Sequence, residues 1–390
     1  MMTASIIGWA HSPFGKLPDE TLETLMVRTT RDALQHANIG AEDVDEIFVG
    51  HFNSGFSKQN LTGGLVLQAD PGLRFTPATR VENACASGSA AVHQALRAIE
   101  SGHAEIALVV GVEKMTDATS DAVKSNLLGA CYLPEEGGVE GGFAGLFGQI
   151  ADLYYARYGD QTDVLAAIAA KNHRNGMGNP WAQLRKDLGI EFCRTESPGN
   201  PRVAGPLKRS DCSPVSDGAA AIVIASANVA REAKRAVSFR ATAHVQDFLP
   251  MSRRDILRFE GCATAWRLAL HEAGIALDDL SFVETHDCFT IAELIEYEAM
   301  GLAPAGQGAR VVQEGWTEMG GKLPVNPSGG LKAKGHPIGA TGVSMHAISA
   351  MQLCGEAPPE IQVPQATIAG IFNMGGAAVA NYTSILERVR

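Results

Sequence analysis

Apolar positions along the 390-residue chain fall into two kinds of run. Some recur every three or four residues and predict amphipathic helices. Others are short continuous stretches bounded by turn residues and predict buried strands. One unit, RDALQHANIGAEDVDEIFVGHF from Arg31, reads as helix, turn and strand. It returns weakly from Arg267 as RLALHEAGIALDDLSFVETHDC, with Arg, two Ala, Leu, Ile and Asp in the same places and no gap. A fainter pair joins a small-residue helix to an apolar strand: SGSAAVHQALRAIE before AEIALVVGVEKM, and TGVSMHAISAMQLC before ATIAGIFNMGG. Two pairs in one order point to an internal duplication, with halves at 1–235 and 236–390. Strands alternating with helices predict an α/β fold. The region from about 117 to 208, rich in Gly and Tyr and later polar, matches neither half and reads as an insertion in the first. After it, SPVSDGAAAIVIAS returns to a turn and a strand.

Composition narrows the function. Charged residues make up 19% and the net charge is −11, so a nucleic-acid partner is not expected, because phosphate backbones want a basic face. No apolar run reaches the roughly 18 residues of a membrane span. The N-terminus lacks the pattern of a signal peptide. The seven cysteines are odd in number, widely spaced and without CxxC, which argues against a disulfide framework and for a cytoplasmic setting.

Four stretches could carry chemistry. In NACASGSAAV, Cys85 precedes a helix whose first turn is small. Unpaired N–H groups there are expected to lower a thiol pKa and activate it, although a small packed cysteine at a helix start is an equal reading. In GGLKAKGHPIGATG, His336 sits in a rigid Gly-Pro turn and could serve as base to a thiol. In IAGIFNMGGAAVANY, Gly375 and Gly376 offer backbone N–H groups to an oxyanion, or simply make a tight turn. In FVETHDCFTIAEL, His286, Asp287 and Cys288 adjoin. Neighbours on a strand point to opposite faces, so these three make a poor metal site, and no metal is expected. No GxSxG elbow supports a serine hydrolase.

Taken together, these stretches resemble the thiolase family. NACASG resembles the segment around its acylated cysteine, GGLKAKGHPIGATG its histidine segment, and SDGAAAIVI the strand after its insertion. The resemblance runs over nearly the whole chain. It implies two similar βαβαβαββ-type halves in five αβαβα layers, and an acyltransferase that cleaves 3-ketoacyl-CoA or runs the reverse Claisen condensation. It further implies a homodimer, with a homotetramer also open, coenzyme A thioesters as substrates, and no permanently bound cofactor. Ordinary thiolases carry Asn-Glu-Ala-Phe where this chain has His286-Asp287-Cys288-Phe289, and a cysteine where it has Asn373. That paired change is similar to the sterol-carrier-protein-type thiolases. By this resemblance Cys85 is acylated, His336 takes its proton, and Cys288 is the relocated second thiol, acting as acid and base. His336 and a water on His286 hold the enolate oxygen, and the N–H groups of Cys85 and Gly375 hold the acyl oxygen. Lys171, Arg174, Arg185 and Lys186 in the insertion are candidates for the coenzyme phosphates. The alternatives are a thiolase-like carbon–carbon lyase or synthase on another acyl-CoA, such as a steroid side-chain intermediate, and a non-catalytic acyl-CoA-binding partner.

Overall fold

A computed structural model describes residues 4–389. Nine strands form one sheet: β1 Ser5–His11, β2 Glu46–Gly50, β3 Ala78–Val81, β4 Ile106–Glu113, β5 Gly218–Ala225, β6 Val237–Gln246, β7 Phe282–Glu284, β8 Ile368–Gly375 and β9 Ala380–Arg388. Their order is β3-β2-β4-β5-β1-β6-β9-β8-β7. β1 and β6 meet antiparallel at Ser5 opposite Ser238, and from that seam the order runs outward as 5-4-2-3 on one side and 9-8-7 on the other. β4 and β5 are buried at every position, because helices cover both faces of the sheet; this is why their sequences are continuous apolar runs rather than alternating ones.

The first repeat is visible as built structure. Helix Leu22–Ala37 starts at Thr21, whose hydroxyl accepts from the Thr24 N–H, and ends at Asn38 with φ 57°. Helix Glu260–Ala273 ends at Gly274 with φ 65°. Asn38 and Gly274 occupy the same place in the repeat, and Asn and Gly are the residues that best tolerate a left-handed helix cap. Each helix is followed by a one-turn 3-10 segment and then by a strand, β2 or β7. The helices lie on opposite halves of the sheet, the first against β1 and β5, the second against β6 and β9.

The second pair forms the heart of the molecule. Helices Ser87–Glu100 and Ile338–Cys354 pack on one another. Their glycines make the approach possible: a Cβ at Gly88 would sit 2.8 Å from the Gly339 carbonyl oxygen, and one at Gly342 would sit 2.2 Å from the Ser89 nitrogen. Helix Ile338–Cys354 is buried along its whole length save its last residue, so it shows no polar face. Between β4 and β5 the chain makes the helices Ser120–Leu128, Leu133–Glu136, Phe143–Tyr158, Thr162–Gly176 and Gly189–Arg194, and a small two-stranded ribbon. A ring contact ties this region to the 286–289 loop: Phe147 stacks on Phe289 with centroids 4.4 Å apart. No helix among the described residues is long and apolar enough to cross a membrane.

Candidate active site

The turn that presents Cys85 is strained and tightly held. Ala84 sits at φ 49°, a left-handed backbone that costs a non-glycine residue about 1 kcal/mol. The Glu82 carboxylate accepts from the Ala84 N–H (2.5 Å), and Ser87 Oγ accepts from the Asn83 N–H (2.9 Å). Cys85 follows, immediately before the helix at Ser87. From the turn after β8, the N–H of Gly376 donates to its sulfur. That residue has φ 64°, and it is one of the two glycines, Gly375 and Gly376, read from the sequence as N–H donors.

Two histidines complete the cluster, and their hydrogen bonds assign them opposite tautomers. The Thr341 hydroxyl donates to the Pro337 carbonyl (3.0 Å), so its oxygen accepts from His336 Nδ1 (2.7 Å). His336 Nε2 is thereby left with its lone pair. Asn373 Nδ2 donates to the Cys85 carbonyl oxygen (3.2 Å), an atom that can only accept, and this orients the amide. The same nitrogen lies 2.8 Å from His286 Nδ1, which must accept, so the proton of His286 is on Nε2. Both Nε2 atoms are buried without a protein partner. The rings meet edge-to-face with centroids 5.1 Å apart, and ligand atoms of Cys85, His286 and His336 lie within 4.8 Å of one another. Such a trio has the spacing of a metal site, but with its proton on Nε2 His286 offers that atom as a donor rather than as a ligand.

Cys288 shares the cavity of about 180 Å³ with Cys85 and His336, walled by Met115, Phe143 and Phe289. The 286–288 segment lies past the end of β7, yet it keeps strand-like alternation. His286 and Cys288 face the cluster, whereas Asp287 turns away to accept from the N–H groups of Leu331 (2.6 Å) and Lys332 (3.1 Å). Asp287 thus ties this loop to the segment that leads into His336. Glu113 supports the far side of the same segment, accepting from Gly339 N–H (3.0 Å) and Phe52 N–H (3.0 Å).

The electrostatics correct one sequence expectation. Helix-start N–H groups were expected to lower the Cys85 pKa. The Gly376 N–H does act in that direction, but burial wins and pushes the thiol up to about 12. Burial also raises Cys288 well above the ordinary thiol range, with the nearby Cys85 adding to it. Burial, helped by the charge of Lys334, holds His336 down at about 3, and His286 is likewise kept neutral. The site therefore holds two neutral thiols and two neutral imidazoles.

Family models match in two blocks. Residues 4–191 match the N-terminal thiolase domain, and 241–388 match the thiolase C-terminal domain-like model. The acetyl-CoA acetyltransferase of Methanothermobacter thermautotrophicus is 35% identical over 391 residues, covering all of both chains. The chain belongs to the thiolase family. Human sterol carrier protein 2 is 33% identical to this thiolase over 365 residues, which cover 90% of it and 65% of the human protein. Among solved structures, the Ltp2-ChsH2(DUF35) aldolase superposes with a TM-score of 0.84 at 19% identity, covering all of this chain and 98% of the other, a likeness of fold.

The basic residues expected at the coenzyme do not converge in this thiolase. Lys171 is buried and ion-paired to Glu293 (2.5 Å), with further bonds to Tyr297 and the Val325 carbonyl, so its charge is spent inside the protein. Arg174 pairs with Glu318, and Arg185 donates to the Met177 carbonyl (3.3 Å). Lys186 stands at a second cavity, next to the one lined by Cys85 and Cys288. Thr341 and the tautomer-setting role of Asn373 were missed in the sequence. A hydroxyl five residues after His336, at the start of a helix, was the available signal for the first.

Proposed function

We propose that this thiolase cleaves 3-ketoacyl-CoA with CoA, or runs the reverse condensation, through an acyl group on Cys85. In the cleavage direction Cys85 Sγ attacks the 3-keto carbon as His336 Nε2 takes its proton. The carbonyl oxygen becomes an oxyanion beside the N–H groups of Cys85 and Gly375. Collapse breaks the C2–C3 bond and leaves its electron pair on the acetyl-CoA enolate, whose oxygen meets the Nε2–H of His286 and of the now protonated His336. Cys288 gives C2 a proton, and acetyl-CoA departs. The Cys288 thiolate then takes the proton of an incoming CoA thiol. The CoA sulfur attacks the acyl carbon, and Cys85 leaves with the proton returned by His336.

The observation that carries this reading is the pair of hydrogen bonds at the two Nδ1 atoms, Thr341 on His336 and Asn373 on His286, which set opposed tautomers. One histidine offers a lone pair where a proton must be taken, and the other offers an N–H where negative charge develops. His286 Nε2, buried without a protein partner, is left to serve the enolate oxygen, itself or through the water expected from the sequence. Each such donor is worth roughly 3 kcal/mol in the barrier. Incubation with an acyl-CoA alone should release CoA and leave the acyl mass on the Cys85 peptide. An acyl group found only on other residues sinks the proposal.

The same reading takes 1–235 and 236–390 as the two duplicated halves, supported by the strand order running outward from the β1–β6 seam. It places the enzyme in fatty-acyl metabolism in the cytoplasm, in keeping with seven unpaired cysteines. It also takes the chain as a homodimer, for which the partly exposed edge strand β3 offers a pairing surface. Light scattering that returned a monomer mass would remove that part.

A further inference from the structure

Beside the catalytic cavity lies a second one, of about 350 Å³, and the two share the wall Cys212–Pro214. Its charged lining is cationic. Lys332 is only 2% exposed, yet among the described residues its ammonium makes no hydrogen bond and no ion pair. The carboxylates closest in charge are committed elsewhere. Asp287 holds the Leu331 and Lys332 N–H groups and the Asn172 amide. Asp211 holds the Lys208 N–H, the Lys208 ammonium (3.3 Å) and the Thr290 hydroxyl. His173, also 2% exposed, lines the same cavity with its Nε2 unpartnered. Lys186 and Arg209 stand exposed at the rim, while Leu188 and Phe192 make the walls apolar.

A buried ammonium with no counter-ion is costly, and it marks a place where a ligand supplies the charge. We propose that this cavity is an anion subsite of the thiolase and that it takes a carboxylate at the far end of the acyl chain, carried past Cys212–Pro214 from Cys85. The apolar walls suit a hydrocarbon chain ending in a carboxylate better than a hydrated phosphate, although a coenzyme phosphate shares the same chemistry. Nδ1 of His173 faces the Lys186 carbonyl (3.2 Å) and so carries the proton of the neutral ring. Its Nε2 becomes a donor only by taking up a proton, which an anion next to Lys332 favours. The subsite rests on the acyl-transfer reading but adds a substrate class to it.

The test compares 3-ketoacyl-CoA pairs of equal length, one ending in a carboxylate and one in a methyl group, and each with its dephospho-CoA counterpart. A hydrogen bond to a buried charge is worth about tenfold to a hundredfold in kcat/KM. Wild-type enzyme should prefer the carboxylate by about tenfold or more, and Lys332→Met should bring that ratio to about one. A ratio near one for the carboxylate, with an equally Lys332-dependent loss on removing the 3′-phosphate, also supports an anion subsite and assigns its source to the coenzyme. If wild-type enzyme shows neither preference, or if Lys332→Met and Lys186→Ala both leave it intact, the subsite is overturned. The wild-type comparison and exposed Lys186 decide the matter even if Lys332→Met does not fold. Absence of turnover with every thioester, methyl-ended ones included, instead overturns the acyl-transfer reading.

Discussion

The side-chain amide of Asn373 donates across 2.8 Å to Nδ1 of His286 and, from the same nitrogen, to the Cys85 carbonyl. An amide therefore links the Cys85 backbone to the ring that faces it. Replacing Asn373 with Asp reverses the bond, because a carboxylate can only accept and would draw the His286 proton to Nδ1. The Nε2–H that faces the enolate is then lost. We expect Asn373→Asp to lower kcat for cleavage by about 10²–10³, the usual cost of one oxyanion donor. Cys85 acylation, read by CoA release in a single turnover, should suffer much less. Equal losses in both half-reactions would show that Asn373 only packs.

Cys288→Ala separates the two half-reactions in another way. Acylation needs Cys85, His336 and the N–H donors, and it should survive. Exchange of the acetyl-CoA methyl protons with deuterated solvent should fall by about 10²–10⁴, the usual contribution of one general acid–base. Exchange at the wild-type rate in Cys288→Ala would return the search for the acid to His286 or His336.

The pH dependence of acylation follows from the neutral pair. His336 is lowered to about 3 and Cys85 is raised to about 12, so both keep their working form between those limits. As pH falls through the His336 value, the base is protonated and acylation is lost; as pH rises toward the Cys85 value, the thiol ionises unaided. The burst rate should therefore be flat from about pH 5 to 9. Lys334→Met removes a buried cation that helps keep His336 neutral, so its acid limb should move upward in pH. A wild-type limb near the ordinary histidine value of 6.5, measured by stopped-flow CoA release, is incompatible with this account.

Lys171 answers as a structural residue. Truncating it to Met leaves Glu293 buried without its cation, and breaking such a pair costs about 3–5 kcal/mol. Denaturant unfolding should show that loss, with KM for CoA thioesters in the surviving fold unchanged. Arg174→Ala breaks only a half-exposed pair with Glu318 and should cost less than about 1 kcal/mol. A raised KM with normal stability in Lys171→Met would restore this residue to the coenzyme.

Much of the architecture could be read from the chain because it depends on local periodicity. The helices at Leu22 and Glu260, the strands after them, and even the matched caps Asn38 and Gly274 follow from apolar spacing and backbone permissiveness within one stretch. Cys85 and His336 could be found for a similar reason: each sits in a turn whose small residues and prolines constrain the backbone locally. Two things in the site could not be read this way. The protonation of the cluster is set by burial, and burial is a property of the packed molecule. A helix start that would activate an exposed thiol instead surrounds Cys85 with apolar walls that raise its pKa. The second is partnership across long separations in the chain. Lys171 and Lys332 are both lysines in polar-looking stretches, but packing gives Lys171 the Glu293 carboxylate, 122 residues away, and gives Lys332 a cavity. An ammonium is neutralised or left waiting for a ligand according to what the fold carries within hydrogen-bond reach, and no local pattern encodes that distance.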